Sequence, residues 1–496
     1  IAALGLSGPY SVSHPNGVSG SERVELITRD RHQPAVVLQA AEGTELGLGD
    51  PIPVSAEHGI GIADLVEAIA ARLPETLLSV PPDPEDQVRI AIVGGGVSGL
   101  VAATLLYRDH DLVLFEANAV PGGHTHTVSV PTPTGAVDVD TGFIVYNERN
   151  YPNFTRLLAR LGVATQPSAM SFSVRADALD FEYNGSTLSQ LFGQRRNLLR
   201  PSFYRMAADI VRFNRHAPRA ILDGSAHATV AEYATTAKYS RQFVDHYLAP
   251  MAAALWSQPR SRVLDMPLAF LVRFLDNHGM LSMTRRPEWR VIQGGAQRYV
   301  DAMTAPFRDH LRLGHAVRAV TRHANRVLVD GEVFDEVIFA CHSDQALAVL
   351  ADATAAERDV LGALPYQTNH VVLHTDTSLL PRRPALWAAW NYHLSPDPTA
   401  PVAVTYDMNI LQTLAAPETY CVTLNRTGDI APERIVRRFT YHHPLYTMAG
   451  VHAQARHAEI SGRNRTHYCG AYWGNGFHEA GVTSALTVCR HFGNTL

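Results

Sequence analysis

Lysine is nearly missing from this chain: of its 42 lysines and arginines, Lys238 alone is a lysine. Chemistry that needs a lysine elsewhere, such as a glycine-loop lysine gripping phosphates, is excluded. Cysteine is scarce too. Cys341, Cys421, Cys469 and Cys489 lie far apart without metal-ligand spacing, which excludes a zinc module and makes a reduced, cytoplasmic interior the expected home. No run of about 18 apolar residues occurs, so no stretch reads as a membrane-spanning helix. No charged-then-apolar signal pattern opens the chain at Ile1. With a formal charge of −5 and no basic tract, nucleic acid is not an expected partner. What remains is ordinary globular material, 46% apolar and 18% charged over 496 residues, enough for two or three domains with sizeable cores.

The stretch Arg89–Tyr107 reads as a short buried strand, a glycine turn and an apolar helix. Its glycines fall at Gly94, Gly96 and Gly99, the spacing G-x-G-x-x-G. Gly94 permits the tight turn, Gly96 lets backbone approach a pyrophosphate, and Gly99 lets helix pack on strand. The helix opening at Val97 and Ser98 offers unpaired N–H groups to phosphate oxygens. A second strand, Asp111–Glu116, ends in an acid about 20 residues on, where a ribose hydroxyl needs an acceptor. Just beyond it, Gly122, Gly123 and His124 supply a second glycine pair, able to approach the same pyrophosphate from the other side, which favours FAD over NAD.

These motifs, with GGHTHT, VDTGFIVYNERNYPN, QRRNLLRPSFYRM and CGAYWGNGFHEAG, resemble the FAD-containing amine oxidase superfamily. That superfamily also holds phytoene-type desaturases, protoporphyrinogen oxidase and a bacterial polyunsaturated fatty acid isomerase, and the similarity is greatest to a bacterial group of predicted NAD/FAD-binding oxidoreductases. It runs from about Val88 to the C-terminus. His124 stands where the superfamily usually carries arginine. The resemblance implies that Asp140, Thr141, Gly142 and Phe143 run past the flavin ring, although Asp140-Thr141-Gly142 also reads as a plain turn. It implies that the backbone of Val317, on an expected strand 315–320, lies near the adenine. His467–Leu486 resembles the C-terminal FAD signature: Gly470, then Phe477, then a helix beginning near His478 and Glu479 whose positive end would face the flavin N1–C2=O edge. Tyr472 and Trp473 fall where amine oxidases carry part of an aromatic cage, with core packing as the other explanation.

The implied fold class is α/β: a discontinuous Rossmann-like FAD-binding domain (88–150, 291–345 and 456–496) with a substrate domain made of a helical part (151–290) and an antiparallel sheet (346–455). Residues 81–87 are an acidic, proline-rich linker. Before it, about 45–75 resembles the end of a tandem-domain ribosome-assembly GTPase domain, with Ser55-Ala56-Glu57 in its guanine loop. Without a lysine ahead of residue 238, no GTP binding is expected there. Residues 1–80 are expected to be a truncated remnant, a gene fusion or a gene-model artefact.

The function these signals imply is a cytoplasmic FAD-dependent oxidoreductase that removes hydride from, desaturates or isomerises a small hydrophobic substrate, such as an unsaturated fatty acyl chain. Flavin amine oxidation is the alternative, and a non-catalytic flavin-binding or scaffold role a third. Amine oxidases of the superfamily often use a lysine to hold water near the flavin N5; Lys238 lies outside every resembling motif. Tyr146, Tyr406, His478 and Glu479 are candidates for moving a proton. His124 and His126 lack a third metal ligand, so no metal is expected. Arg195, Arg196, Arg200, Arg205, Arg212 and Arg215 form either a solvated helix face or a contact for anionic membrane.

Overall fold

In the computed structural model, the described residues are 87–133, 135–222, 227–282 and 286–496, so the readings of residues 1–80 lie outside them. Ile90-Ala-Ile-Val is a run of buried apolar residues, the pattern of a strand covered on both faces. It sits at the centre of a five-stranded sheet in the order Thr466–Tyr468, Glu336–Phe339, Arg89–Val93, Asp111–Glu116, Leu311–Leu313, with every neighbouring pair parallel. Alternation along these strands builds two cores. Ile90, Ile92, Leu112, Leu114 and Ile338 pack against the helices Val97–Leu106 and His478–Cys489. Ala91, Val93, Val113, Phe115, Val337 and Phe339 pack on the opposite face, toward a three-stranded antiparallel sheet of Val320–Arg322, Val327–Val329 and Glu332–Phe334.

A second, seven-stranded sheet runs in the order Ile435–Pro444, Tyr366–His374, Cys421–Leu424, Val404–Asp407, Trp390–His393, Phe172–Ala176, Phe181–Asn184. All its pairs are antiparallel except Trp390–His393 with Phe172–Ala176. Its largest core joins the helices Pro201–Ala220, Ala249–Trp256 and Leu268–Asn277. The α/β class, with a mixed helical and antiparallel-sheet part beside a Rossmann-like sheet, is the architecture observed.

One expectation, of a strand over 315–320, is corrected. Residues 151–290 are mainly helical, as expected, with Thr165–Ser168, Phe172–Ala176 and Phe181–Asn184 as strands among the helices. Polar residues inside them hid the pattern: Ser173 is buried and donates to Asn391 Oδ1 at 2.7 Å. Residues 315–319 are irregular, with the strand beginning only at Val320. There the N–H groups of Arg318 and Ala319 both donate to Asp330 Oδ1 at 2.9 Å, so a carboxylate takes the donors that a ladder would use.

Candidate functional site

A cavity of about 1190 Å³ lies between the two sheets, larger than an ordinary small-ligand pocket. At one end the first glycine turn forms its wall. Gly94 has φ +115°, and a Cβ there would stand 2.8 Å from the Ala340 carbonyl carbon. A Cβ on Gly99 would fall 1.9 Å from the Gly94 oxygen, so only glycine lets this helix sit on its strand. Gly96, in contrast, faces open space. The second glycine pair closes onto the first: Gly122 N–H donates to Gly95 O at 2.8 Å, and Gly123 approaches Gly96 so closely that an added Cβ would lie 3.0 Å from its Cα.

Two helix N-termini open on this cavity. Val97–Leu106 starts at Gly96 and His478–Cys489 at Phe477, and neither has a side-chain cap. Gly96, Val97, Ser98, Phe477 and His478 all line the same space. The helices touch one another, Ser98 Oγ donating to Gly481 O at 3.0 Å. Two positive helix ends, each with unsatisfied N–H groups, therefore point into one elongated cavity, an arrangement suited to an elongated ligand carrying negative charge at separated places.

Glu116, His124, Gly142, Val317, Gly470, Tyr472 and Tyr406 also line the cavity. Glu116 is buried; its Oε2 accepts from Gly95 N–H at 2.7 Å and its Oε1 from Asn118 N–H at 2.8 Å. Thr141 is set behind the wall, its hydroxyl donating to His126 O at 3.0 Å. Tyr472 is buried with its hydroxyl unpartnered, as is His124 Nε2.

Four expected residues lie elsewhere or are held fast. The Trp473 ring turns away from the cavity and packs edge-on against His457 at 4.5 Å. Glu479 faces the other side of its helix, where its carboxylate accepts from Asn153 N–H at 3.1 Å and Phe154 N–H at 3.0 Å and so caps the helix Pro152–Arg160. Tyr146 is core, packed against Tyr151 and Phe154. His478 reaches the cavity, but its Nε2 sits 3.0 Å from Thr125 Oγ1 and 2.9 Å from Tyr299 OH while its ring stacks on Phe143 at 3.4 Å. Burial pushes its pKa down to about 3, so it acts as a neutral, immobile pin rather than a proton carrier.

Several lining residues carried no signal of their own in the sequence. His342, Tyr366, Trp390, Tyr441 and His443 join His124 around the middle of the cavity. His124 lies 5.2 Å from His443, 6.0 Å from His342 and 5.1 Å from Tyr441, ring centre to ring centre. Tyr366 stacks on His342 at 4.4 Å. Burial, followed by mutual repulsion, holds these imidazoles neutral, with His124 and His342 pushed down to about 4 and His443 to about 3. Among the described residues no cluster of His, Cys, Asp and Glu could hold a metal ion. The dense run Tyr441-His442-His443-Pro444 was the available hint.

The remaining wall is apolar: Met170, Phe172, Met251, Leu255 and Phe274 among others. Its carboxylates are Glu116, already bonded, and Glu288, which pairs with Arg290 at 2.7 Å. Arg286 is the one arginine in the described lining and is exposed.

The sequence profile of the flavin containing amine oxidoreductase family matches residues 97–402. The fold is similar to cyclohexylamine oxidase from Brevibacterium oxydans (14% identity, TM-score 0.58, 82% of this chain and 100% of that one). It is also similar to a conjugated-linoleic-acid-producing fatty acid isomerase from P. acnes (17%, TM-score 0.57, 82% and 99%). At such identities these likenesses show the fold alone. A short stretch at the N-terminal end is 52% identical over 56 residues to GTPase Der of Synechococcus sp., covering 11% of this chain and 12% of that protein. The chain therefore spans about an eighth of the length of that curated relative.

Proposed function

Because the chain belongs to the family of flavin containing amine oxidoreductases and uses FAD, we propose that it oxidises, desaturates or isomerises a hydrophobic substrate, an unsaturated fatty acyl chain being the best fit. The two uncapped helix ends on one cavity support the cofactor's placement, with the turn at Gly94–Gly99 and Gly122–Gly123 beside the pyrophosphate, Glu116 and Val317 at the adenosine end, and Gly142, Gly470, Phe477 and the N–H groups after it at the ring. In this reading the dinucleotide part is drawn from 88–150, 291–345 and 456–496.

A flavin held there would supply the hydride-accepting chemistry. The chain's own residues supply the rest. An apolar wall excludes water and orients an acyl chain. The phenols of Tyr406 and Tyr472 are raised above their ordinary pKa by burial, so they stay protonated and can donate to a polar group without adding charge, whereas the Tyr366 hydroxyl is bonded to Ser343. The observation that carries the substrate class is the carboxylate inventory: both lining acids have partners, leaving none to hold an ammonium group, whereas Arg286 at the rim suits a fatty carboxylate.

The test is anaerobic titration of the FAD-loaded protein. Linoleic or oleic acid is expected to bleach the visible flavin absorbance and polyamines are not. Bleaching by polyamines alone reverses the assignment to amine oxidation, and a fatty acid recovered with its double bonds unmoved and no bleaching by either class leaves a flavin-binding protein without this chemistry. Arg286→Gln is expected to raise KM about tenfold for the free acid but not for its methyl ester, the loss of one charge-assisted pair.

A further inference from the structure

Of the eleven exposed large apolar side chains among the described residues, six fall between 188 and 222: Leu188, Leu198, Leu199, Tyr204, Val211 and Leu222. Leu199 and Leu222 are 83% exposed. Isolated exposed leucines are ordinary, but a cluster in 35 consecutive residues of a protein this size is not. The same stretch carries seven arginines and a single acid, Asp209, in a chain whose net charge is −5. Asp209 is buried and satisfied by Ser240 N–H and Arg212, so it offers nothing to the surface. Arg195, Arg205, Arg215 and Arg219 are exposed and make no ion pair among the described residues.

The long helix Pro201–Ala220 arranges these groups in order. Phe203, Met206, Phe213 and Ala217 face the core. On the outer side Tyr204 and Val211, seven residues apart, share one edge, and the exposed Arg205 and Arg219 lie beside it. Leu198 and Leu199 stand just before the helix and Leu222 just after it. An apolar ridge flanked by guanidinium groups is the chemistry of a helix lying in a lipid headgroup layer, its leucines in the acyl boundary and its arginines on phosphate. The cavity lining reaches the residues just before this stretch. Gly185 and Ser186 are exposed and line the cavity, and Leu188 follows two residues later.

We propose that the face built from residues 188–222 docks this protein on an anionic lipid surface, bringing the cavity mouth at Gly185–Ser186 against the bilayer from which an acyl substrate enters. The entry route rests on the lipid reading above; the docking itself does not. Positive charge selects the anionic surface, and the exposed leucines distinguish insertion from simple counter-ion attraction.

The experiment is co-sedimentation of the FAD-loaded protein with vesicles of phosphatidylcholine containing about one third phosphatidylglycerol, all acyl chains saturated so that no oxidisable substrate is present. Binding is expected at low salt, weakened about tenfold or more at high salt, by Arg205→Glu with Arg215→Glu, and by Leu198→Ser with Leu199→Ser. Binding to pure phosphatidylcholine is expected to be weak. Val333→Ser, an exposed apolar position on another sheet, should bind as wild type, and the flavin absorbance of each variant reports that it is folded. No sedimentation at low salt, or equal sedimentation by both double variants, overturns the proposal. So does a dimer formed without vesicles that Leu198→Ser with Leu199→Ser dissociates, which would make the face a contact between copies. Because the vesicles are saturated, these outcomes leave the fatty-acyl assignment to be judged by the titration alone.

Discussion

His124 stands where the resemblance implied an arginine, and its burial leaves a neutral ring at that position. With Nε2 unpartnered and a pKa near 4, it presents a neutral ring beside His342 and His443. Between pH 4 and about 6.5 the unfolded chain binds protons that these folded imidazoles refuse, so their contribution to stability is intact above pH 6.5 and is lost as pH falls toward 4. Asp140 acts in the opposite sense. It is fully buried, with Thr127 hydroxyl at 2.6 Å, Ala296 N–H at 2.9 Å and Gln412 Nε2 at 3.0 Å donating to it, yet burial outweighs those donors and raises it to about 7. Here the folded state binds more protons, so its contribution is greatest below pH 4 and is lost as pH rises through 7. Thermal unfolding of the FAD-free protein between pH 4.5 and 6.5 should therefore show a shallower rise with pH in His124→Asn than in wild type and a steeper one in Asp140→Asn. Above pH 7, where wild type holds a carboxylate against these donors, Asp140→Asn also turns a donor toward donors and should cost about 1–3 kcal/mol. Little of this was legible in the sequence: a lone histidine after a glycine pair announces its backbone position, but not the rings that come to surround it.

At the scale of elements the glycine turns were readable because each glycine answers a local steric demand. The strand, turn, helix and terminal acid of the first motif follow from residues within about 30 positions of one another. His342, Tyr366, Tyr441 and His443 were not readable, because the register of Tyr366–His374 on Ile435–Pro444 brings them together: Gln367 lies opposite His443 and Asn369 opposite Tyr441. Glu479 shows the limit of motif reasoning from the other side. It follows a residue that lines the cavity, but one step along a helix rotates the side chain by about 100°, here onto a neighbouring helix end. The contact between the two cavity-facing helices gives a sharp test. A Cβ on Gly481 would stand 2.7 Å from Val97 Cγ1 and 3.1 Å from Ser98 Oγ, so Gly481→Val must push apart the two N-termini proposed to hold the cofactor. Isothermal titration with FAD should show affinity reduced about tenfold or more, with an overpacking cost of about 1–3 kcal/mol in thermal unfolding. Thr483→Val, on the exposed side of the same helix, should change neither by more than a few tenths of a kcal/mol.

For the whole molecule, the central sheet draws its strands from three separated stretches of chain: Arg89–Glu116, Leu311–Phe339 and Thr466–Tyr468. The C-terminal strand pairs with Glu336–Phe339, and the helix after it supplies the second N-terminus on the cavity, so no half of this unit is complete without the last 30 residues. That discontinuity was inferable only because the motifs resemble a known superfamily; strand periodicity does not say which strands are neighbours. The described chain belongs to one compact unit, Pro82–Leu496, and the described residues lining the cavity lie between Val93 and His478. Among the described residues no helix is long and apolar enough to cross a membrane. A polypeptide of residues 82–496 is accordingly expected to fold, to bind one FAD per chain and to unfold within about 2 °C of the full chain, read from its visible absorbance and a thermal melt. A colourless or aggregated product would show that the unit Pro82–Leu496 needs the leading segment.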